Sequence, residues 1–347
     1  MKLSEITTFK IGGSPAGYKT FSSQGELEEI IKEANNKKLP LRILGGGSNI
    51  LANDEDLNIF VAHNKILGAR SDEDVSRQQS EDVNQFEYQN EIKIKVGAGV
   101  ILDDLVDETT DKNLWGLENL KLIPGTVGGA CVQNAGAYGV EIKDILFSVT
   151  VFDVETKTIK DLLNSDCEFT YRNSIFKSNK NLVILYAVFS LSKIPKPILN
   201  YAGLDSLKDL PAQAGKDNLT PMEVANKVKE IRISKLPNWQ ILGTAGSFFK
   251  NPTVDENKYQ ELLKIFPELT SHKIGNIHKL YAGQIVELAG FKKGIRDGRV
   301  GLYKDNALVL VNHGEATYQE IKLFAINIQN KVKEKFGIDL EQEVEEF

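Results

Sequence analysis

The sequence predicts an α+β protein in two parts: a two-piece α/β half of nucleotide-binding type up to about Pro195, then a smaller α+β half. Three observations carry this expectation. Helical and strand periodicities alternate through the first half. Glycine-rich loops follow the strands there, as ligand loops do in α/β folds. The chain has 347 residues, and a single core usually stops growing near about 250–300 residues.

The elements follow in order. Ser23-Gln24-Gly25-Glu26 has the pattern of a capping box, and Leu27, Ile30, Ile31 and Ala34 then recur at helical spacing. Leu39-Pro40 ends that helix. Leu41–Leu44 is an apolar run of strand length, closed by Gly45-Gly46-Gly47. Ser71–Glu91 is polar, rich in Asp, Gln and Glu, and reads as a solvated surface insertion. Ile92–Val96 alternates as a half-buried strand and Leu102–Thr109 reads as a helix. Strands are expected over Phe147–Asp153 and Leu182–Leu191. Pro195, Pro197 and Pro211 mark a loop region. Thr220-Pro221-Met222-Glu223 is a second capping box, with Pro at the first helical position and Val224, Val228 and Ile231 on the apolar face. Thr317-Tyr318-Gln319-Glu320 opens the last helix, whose face is Ile321, Phe324, Ile328 and Val332.

Composition narrows the function classes. Hydrophobic residues at 41% and charged residues at 26% suit a globular chain rather than a disordered one. The net charge of -6 comes with no long basic run, so nucleic acid is not an expected partner. The first residues lack a signal-peptide core, and no stretch approaches the roughly 18–20 apolar residues of a membrane span. Cys131 and Cys167 form no CxxC pair and read as reduced thiols of a cytoplasmic protein. His63, His272, His278 and His313 lack ligand spacing, so no metal is expected.

Five motifs carry the chemistry. Gly45-Gly46-Gly47-Ser48-Asn49 offers a backbone free to approach a ligand, and successive amides suited to a diphosphate. A plain tight turn would use the same residues. Ile123-Pro124-Gly125-Thr126-Val127-Gly128-Gly129-Ala130 runs on into Cys131-Val132-Gln133-Asn134-Ala135-Gly136-Ala137-Tyr138-Gly139. A structural turn needs one or two glycines, whereas this density suits a planar cofactor. Gln133 and Asn134 supply amides that could read a flavin edge. In Gly243–Pro252, Ser247 lies between Gly246 and two phenylalanines and could offer a hydroxyl in a dry pocket, or simply bond the backbone. In Tyr171-Arg172-Asn173-Ser174, Arg172 could clamp a carboxylate or form a surface ion pair. In Leu340-Glu341-Gln342-Glu343-Val344, alternation would put Glu341 and Glu343 on one side, or the segment is a solvated acidic tail.

Taken together, LGGGSN, IPGTVGGACVQNAGAYG, YRNSIF, KLP with GTAGSFFKNP, and LEQEV stand in one order along nearly the whole chain. The chain thereby resembles the UDP-N-acetylenolpyruvoylglucosamine reductases, flavoenzymes of peptidoglycan precursor synthesis. The resemblance implies an FAD-binding half of the vanillyl-alcohol-oxidase type over residues 1–195, its first subdomain ending near residue 67. A substrate domain over 196–347 would follow, its last strand returning to the active site. It implies non-covalent FAD held by Gly45 to Asn49, Pro124, Gly125, Thr126, Gly128, Gly129, Gln133, Asn134 and Gly136. NADPH would be co-substrate and UDP-N-acetylglucosamine enolpyruvate the substrate. Ser247 corresponds to the proton donor; Arg172 and Glu343 correspond to the pair that polarises the enolpyruvyl carboxylate. Tyr171, Lys235 and Asn251 correspond to substrate contacts, and Tyr201 to the loop tyrosine of the subgroup that carries the Pro195–Thr220 insertion. A cytoplasmic monomer is expected. The alternative is another FAD-dependent oxidoreductase of the same fold acting on a sugar or alcohol. Such oxidases often attach flavin through His or Cys near the glycine loop, and neither stands beside Gly45–Asn49.

Overall fold

A computed structural model describes residues 1–70, 90–208 and 219–347. The insertion Ser71–Glu91 therefore lies outside the described residues from 71 to 89, as do residues 209–218 of the proline-rich loop. Glu91 itself opens the strand Glu91–Gly97.

The chain folds into two compact units, each discontinuous in sequence. One comprises Ala16–Gly46 and Asn58–Arg232; the other comprises Met1–Pro15, Gly47–Leu57 and Ile233–Phe347. The division thus differs from a single cut at Pro195. After Pro195 the chain still packs on the first unit, where Leu204, Leu207, Leu219, Val224 and Val228 share a core with Trp115. The opening residues join the second unit through contacts remote in sequence. Thr8 Oγ1 donates to the Thr244 carbonyl at 2.6 Å, and Asn312 Nδ2 donates to the Phe9 carbonyl at 3.1 Å.

In the first unit a three-stranded sheet sets Leu57–Asn64 between Pro15–Phe21 and Leu41–Leu44, the last pairing in parallel from Leu41 opposite Phe60 to Leu44 opposite His63. Helix Gln24–Asn36 covers it. Ser23 caps that helix by accepting from the Glu26 amide at 3.3 Å, and the expected face of Leu27, Ile30, Ile31 and Ala34 is buried. A five-stranded antiparallel sheet follows, in the order Thr158–Leu163, Leu146–Asp153, Leu182–Ser192, Glu91–Gly97, Ala69–Arg70. Its central strand Leu182–Ser192 reads as an apolar run because both its faces are covered. Val183 and Leu185 face the core shared with helix Gln24–Asn36, while Ala187, Phe189 and Leu191 face the core of helices Leu102–Asp111 and Val127–Gln133. An irregularity in register between Ile184 and Tyr186 accounts for the change of side. One extra residue moves the odd-numbered side chains to the opposite face.

The second unit has two antiparallel sheets. Ile277–Leu280 lies between Thr253–Asp255 and Ser271–Ile274, and Val300–Tyr303 lies between Arg296–Asp297 and Asn306–Asn312. Helix Tyr318–Phe336 closes their common core with the four expected apolar residues, all buried. Both halves of its capping box form: Glu320 N donates to Thr317 Oγ1 at 3.2 Å and Thr317 N to the Glu320 carboxylate at 2.7 Å. It ends on left-handed Gly337. Near the terminus, Glu345–Glu346 pairs in parallel with Ile50–Leu51. No helix among the described residues is long and apolar enough to cross a membrane.

Candidate active site

Glycine is required in the first loop by space. A Cβ on Gly46 would meet the Gly125 Cα at 2.5 Å, and one on Gly47, at φ +63, would meet the Ile6 carbonyl oxygen at 2.5 Å. Gly45 and Gly46 therefore lie directly against Gly125 and Thr126 of the second glycine motif. Two sequence-distant backbones bare of side chains are joined in one cradle, which suits the diphosphate of a dinucleotide. Asn49 serves the second unit: its Nδ2 donates to the Glu343 carbonyl at 3.2 Å, and its own carbonyl accepts from Glu345 N at 3.0 Å.

Beneath the cradle His63 is 6% exposed. Its Nδ1 shares a hydrogen bond of 2.7 Å with the Tyr18 hydroxyl, while Nε2 is buried without a well-formed one. Burial first, then the charge of Lys65, pulls the imidazole down to about 4, against the Gly45 carbonyl, which favours the proton. A histidine within an apolar strand reads in sequence as one more core residue, and nothing local marks it as standing under a ligand loop. The folded pKa lies below the ordinary value of about 6.5. Between those values the unfolded chain holds a proton that the folded one lacks, so stability falls as pH drops through this window and levels off below it. Glu33 and Asp153, held at about 2, destabilise only below the ordinary carboxylate range. We expect His63→Gln to flatten the loss of melting temperature between pH 6.5 and 5 (a histidine window), beyond any change given by His313→Gln. Parallel wild-type and His63→Gln curves would refute this.

In the second motif one side chain is bonded within the fold itself. Asn134, at φ +48 and fully buried, donates through Nδ2 to Glu141 at 2.9 Å and to the Thr170 carbonyl at 3.0 Å, and accepts at Oδ1 from Lys143 N at 3.0 Å. Its side-chain amide thereby holds the loop. Gln133 and Gly136 stay in the same stretch. Arg172, at φ +55, donates from Nη2 to the Gly136 carbonyl at 2.8 Å, and its guanidinium lies 5.3 Å from the centre of the Tyr171 ring. Tyr201, 46% exposed, meets Tyr138 edge-on with ring centres 5.1 Å apart.

In the second unit Ser247 bridges to Val309, Phe248 N donates to the Leu308 carbonyl at 2.9 Å, and Glu343 N donates to the Phe248 carbonyl at 2.8 Å. The Ser247 segment is thus flanked by the Asn306–Asn312 strand and by the segment carrying Glu343. Gly246, at φ +78, is turned so that its amide bonds Thr244 Oγ1 at 3.1 Å. Phe248 and Phe249 are 1% exposed and anchor the turn in the core. Among the described residues the Ser247 hydroxyl has no hydrogen-bond partner, which removes the plain backbone-bonded reading. Glu341 and Glu343 differ in burial. Glu341 is exposed beside Lys250 at 2.5 Å, whereas Glu343 is 9% exposed. Asn251 Oδ1 caps helix Ala282–Leu288 by accepting from Ala282 N at 2.9 Å, and Lys235 is exposed at the end of helix Pro221–Lys235.

The order and spacing of these residues have close counterparts. The C-terminal domain model of UDP-N-acetylenolpyruvoylglucosamine reductase matches residues 237–347, and an FAD binding domain model matches residues 15–162. The UDP-N-acetylenolpyruvoylglucosamine reductase of Flavobacterium johnsoniae is 38% identical over 348 residues, covering 99% of this chain and 97% of that protein. The chain belongs to the UDP-N-acetylenolpyruvoylglucosamine reductase family. The Pseudomonas aeruginosa reductase is 36% identical over 322 residues, covering 92% of this chain and 90% of that protein. The crystal structure of the Thermus caldophilus reductase has the same fold, with a TM-score of 0.66 at 23% identity over 100% of this chain and 97% of that one. The chain is therefore an FAD-dependent oxidoreductase, with an FAD-binding domain and the C-terminal domain that marks this reductase family.

Proposed function

We propose that this chain reduces the enolpyruvyl ether of UDP-N-acetylglucosamine to the lactyl ether, UDP-N-acetylmuramate, with NADPH as electron donor. It would do so as a cytoplasmic monomer in peptidoglycan precursor synthesis. The observation that carries this reading is kinship along 99% of the chain at 38% identity. The backbone cradle at Gly46 and Gly125 fits a dinucleotide diphosphate, so Gly45 to Asn49, Pro124 to Thr126, Gly128 and Gly129 would hold the FAD. Held there, FAD would supply the hydride chemistry between NADPH and the terminal vinyl carbon of the substrate.

The chain's own residues manage the charge and the proton. Hydride addition leaves negative charge on the neighbouring carbon and its carboxylate. The Arg172 guanidinium, fixed by the Gly136 carbonyl, opposes that charge without having to reorganise. The Ser247 hydroxyl donates the proton that completes the lactyl ether. An alcohol is a weak acid, so this step requires contact geometry, which the core-anchored turn at Gly246 supplies. Glu343, buried and held through its backbone by Phe248 and Asn49, would act as a protonated carboxyl that donates to the enolate. Tyr171, Tyr201, Lys235 and Asn251 bind the substrate.

The deciding assay is NADPH oxidation in anaerobic buffer with and without the enolpyruvyl substrate, with the lactyl product identified by mass. NADPH consumption independent of that substrate, or oxidation of a sugar alcohol instead, would overturn the reading. The flavin itself should come free. No His or Cys stands in Gly45–Asn49, Cys131 and His63 are both buried, and burial pushes the Cys131 thiol up so that little thiolate forms. Acid precipitation should leave all the flavin in the supernatant; flavin retained on the pellet would show a covalent link.

A further inference from the structure

The second glycine motif ends in a two-residue turn. Gly136–Ala137 pairs antiparallel with Val140–Glu141, and Tyr138 and Gly139 join them at φ +50 and +88. Positive φ at both positions suits so tight a turn; glycine takes it freely, whereas a bulky aromatic resists it. Tyr138 therefore keeps this backbone only because its surroundings hold it. One hold is Asn119, which is fully buried in the short 3-10 helix Glu118–Leu120 ahead of the motif. Its Nδ2 donates to the Tyr138 carbonyl at 2.7 Å and to the Ile198 carbonyl at 2.9 Å. Two converging carbonyls decide which end of the amide faces them, since only the NH₂ end can donate. Asn119 Oδ1 meets no donor among the described residues, so the side chain acts here through its donors.

The second acceptor, Ile198, belongs to the loop that carries Tyr201. A Cβ on Gly139 would lie 3.2 Å from Ile198 Cγ2, so the turn and that loop are packed together. Beyond Tyr201 the loop is anchored again. Leu204 N donates to the Tyr201 carbonyl at 3.0 Å, and Leu204 and Leu207 are buried in one core with Trp115. Tyr201 thus sits between two fixed points, with its ring on that of Tyr138. Asn119 holds the backbone on both sides of that ring contact. The base of the Gly136 hairpin has supports of its own: Ile142 N donates to the Ala135 carbonyl at 2.9 Å, and Asn134 Nδ2 to Glu141 at 2.9 Å. The Gly136 carbonyl that takes the Arg172 hydrogen bond therefore does not depend on Asn119.

We infer that Asn119 is a positioning residue that ties the turn bearing Tyr138 to the loop bearing Tyr201 with one amide, and so sets Tyr201 for the substrate. The tie stands on its hydrogen bonds; its consequence for substrate rests on the function proposed above. Asn119→Ala strips the Tyr138 and Ile198 carbonyls of this donor. KM for the enolpyruvyl substrate should rise by about 10-fold, with kcat within about 3-fold and the FAD dissociation constant within about 2-fold of wild type. A general loosening of the glycine motif would weaken FAD as well. In a Tyr201→Ala protein, adding Asn119→Ala should raise KM by less than about 2-fold, because residues that act through one another are not additive. Asn119→Ser offers one short donor in place of two and should fall between wild type and alanine.

KM and kcat are read by anaerobic NADPH oxidation, and FAD affinity by fluorescence quenching on reconstituting apoprotein. Amide hydrogen exchange followed by mass spectrometry reads the tie without turnover. In Asn119→Ala, exchange over residues 199–204 should quicken by about 10-fold while that of helix Val127–Gln133 stays at the wild-type rate. If the wild type does not turn over the enolpyruvyl substrate, the proposed function fails, and the exchange pattern alone decides the tie. A folded Asn119→Ala protein with wild-type KM overturns the inference. So does equal quickening of the helix, or a full further rise in KM on the Tyr201→Ala background. If Asn119→Ala does not fold, Asn119→Ser decides, and a wild-type KM there overturns it.

Discussion

Ser247→Ala is expected to leave reduction of the flavin by NADPH nearly normal and to slow its reoxidation by substrate by roughly 10²–10⁴-fold, the usual contribution of a general acid. The two half-reactions ask different things of the protein. Reduction requires only that the nicotinamide lie against the flavin. Reoxidation requires a proton for the carbon next to the carboxylate, and the Ser247 hydroxyl is the donor proposed above. Alanine removes the hydroxyl without disturbing its supports: the Phe248 amide on Leu308, the Thr244 hydroxyl under Gly246, and the Phe248 and Phe249 rings in the core. The effect should therefore appear in the rate rather than in stability. Ser247→Cys should recover part of it, because a thiol also carries a proton. Anaerobic stopped-flow of each half-reaction separates the outcomes. Equal slowing of both would make Ser247 a packing or flavin-positioning residue, and no slowing of either would send the search to another acid.

The signals that were legible in the sequence are local ones. Capping boxes at Thr220 and Thr317 mark helix starts because the hydrogen bonds concerned span three residues. The glycine loops show because a Cβ at Gly46 has nowhere to go. What stayed hidden is non-local. The first fifteen residues belong to the second unit through bonds such as Thr8 to Thr244 and Asn312 to Phe9, which no window along the chain contains. Asn134 and Gln133 look alike as amides in a glycine-rich stretch. Only the fold reveals that Asn134 turns into the left-handed region and spends its side chain on Glu141, Thr170 and Lys143. Glu341 and Glu343 are two residues apart and would share a side in any regular strand. Glu343 alone is buried, where its backbone pairs with Phe248 and with Asn49. His63 carries no motif, since its surroundings depend on the loop it happens to underlie.

Arg172→Met is expected to lower kcat by about 10²–10³-fold, equivalent to about 3–4 kcal/mol of charge stabilisation, with a smaller rise in KM. The expectation rests on how the guanidinium is prepared. Arg172 is itself left-handed and lies inside the tight pairing of Thr170 with Asn173. The Thr170 carbonyl is held by Asn134, and the next residue but one, Ser174, is tied by its hydroxyl to the Val132 carbonyl at 2.6 Å. The head group is then aimed by the Gly136 carbonyl and the Tyr171 face. A donor held this way has little left to reorganise when charge arrives, so its worth is greatest in the transition state. Arg172→Lys keeps the charge but loses the fork, and should fall between, at least about 10-fold below wild type. If Arg172 only clamped the ground-state carboxylate, KM would rise while kcat at saturating substrate held steady. Rapid-mixing reoxidation across a range of substrate concentrations distinguishes the two, and an unchanged limiting rate in Arg172→Met would confine this residue to binding.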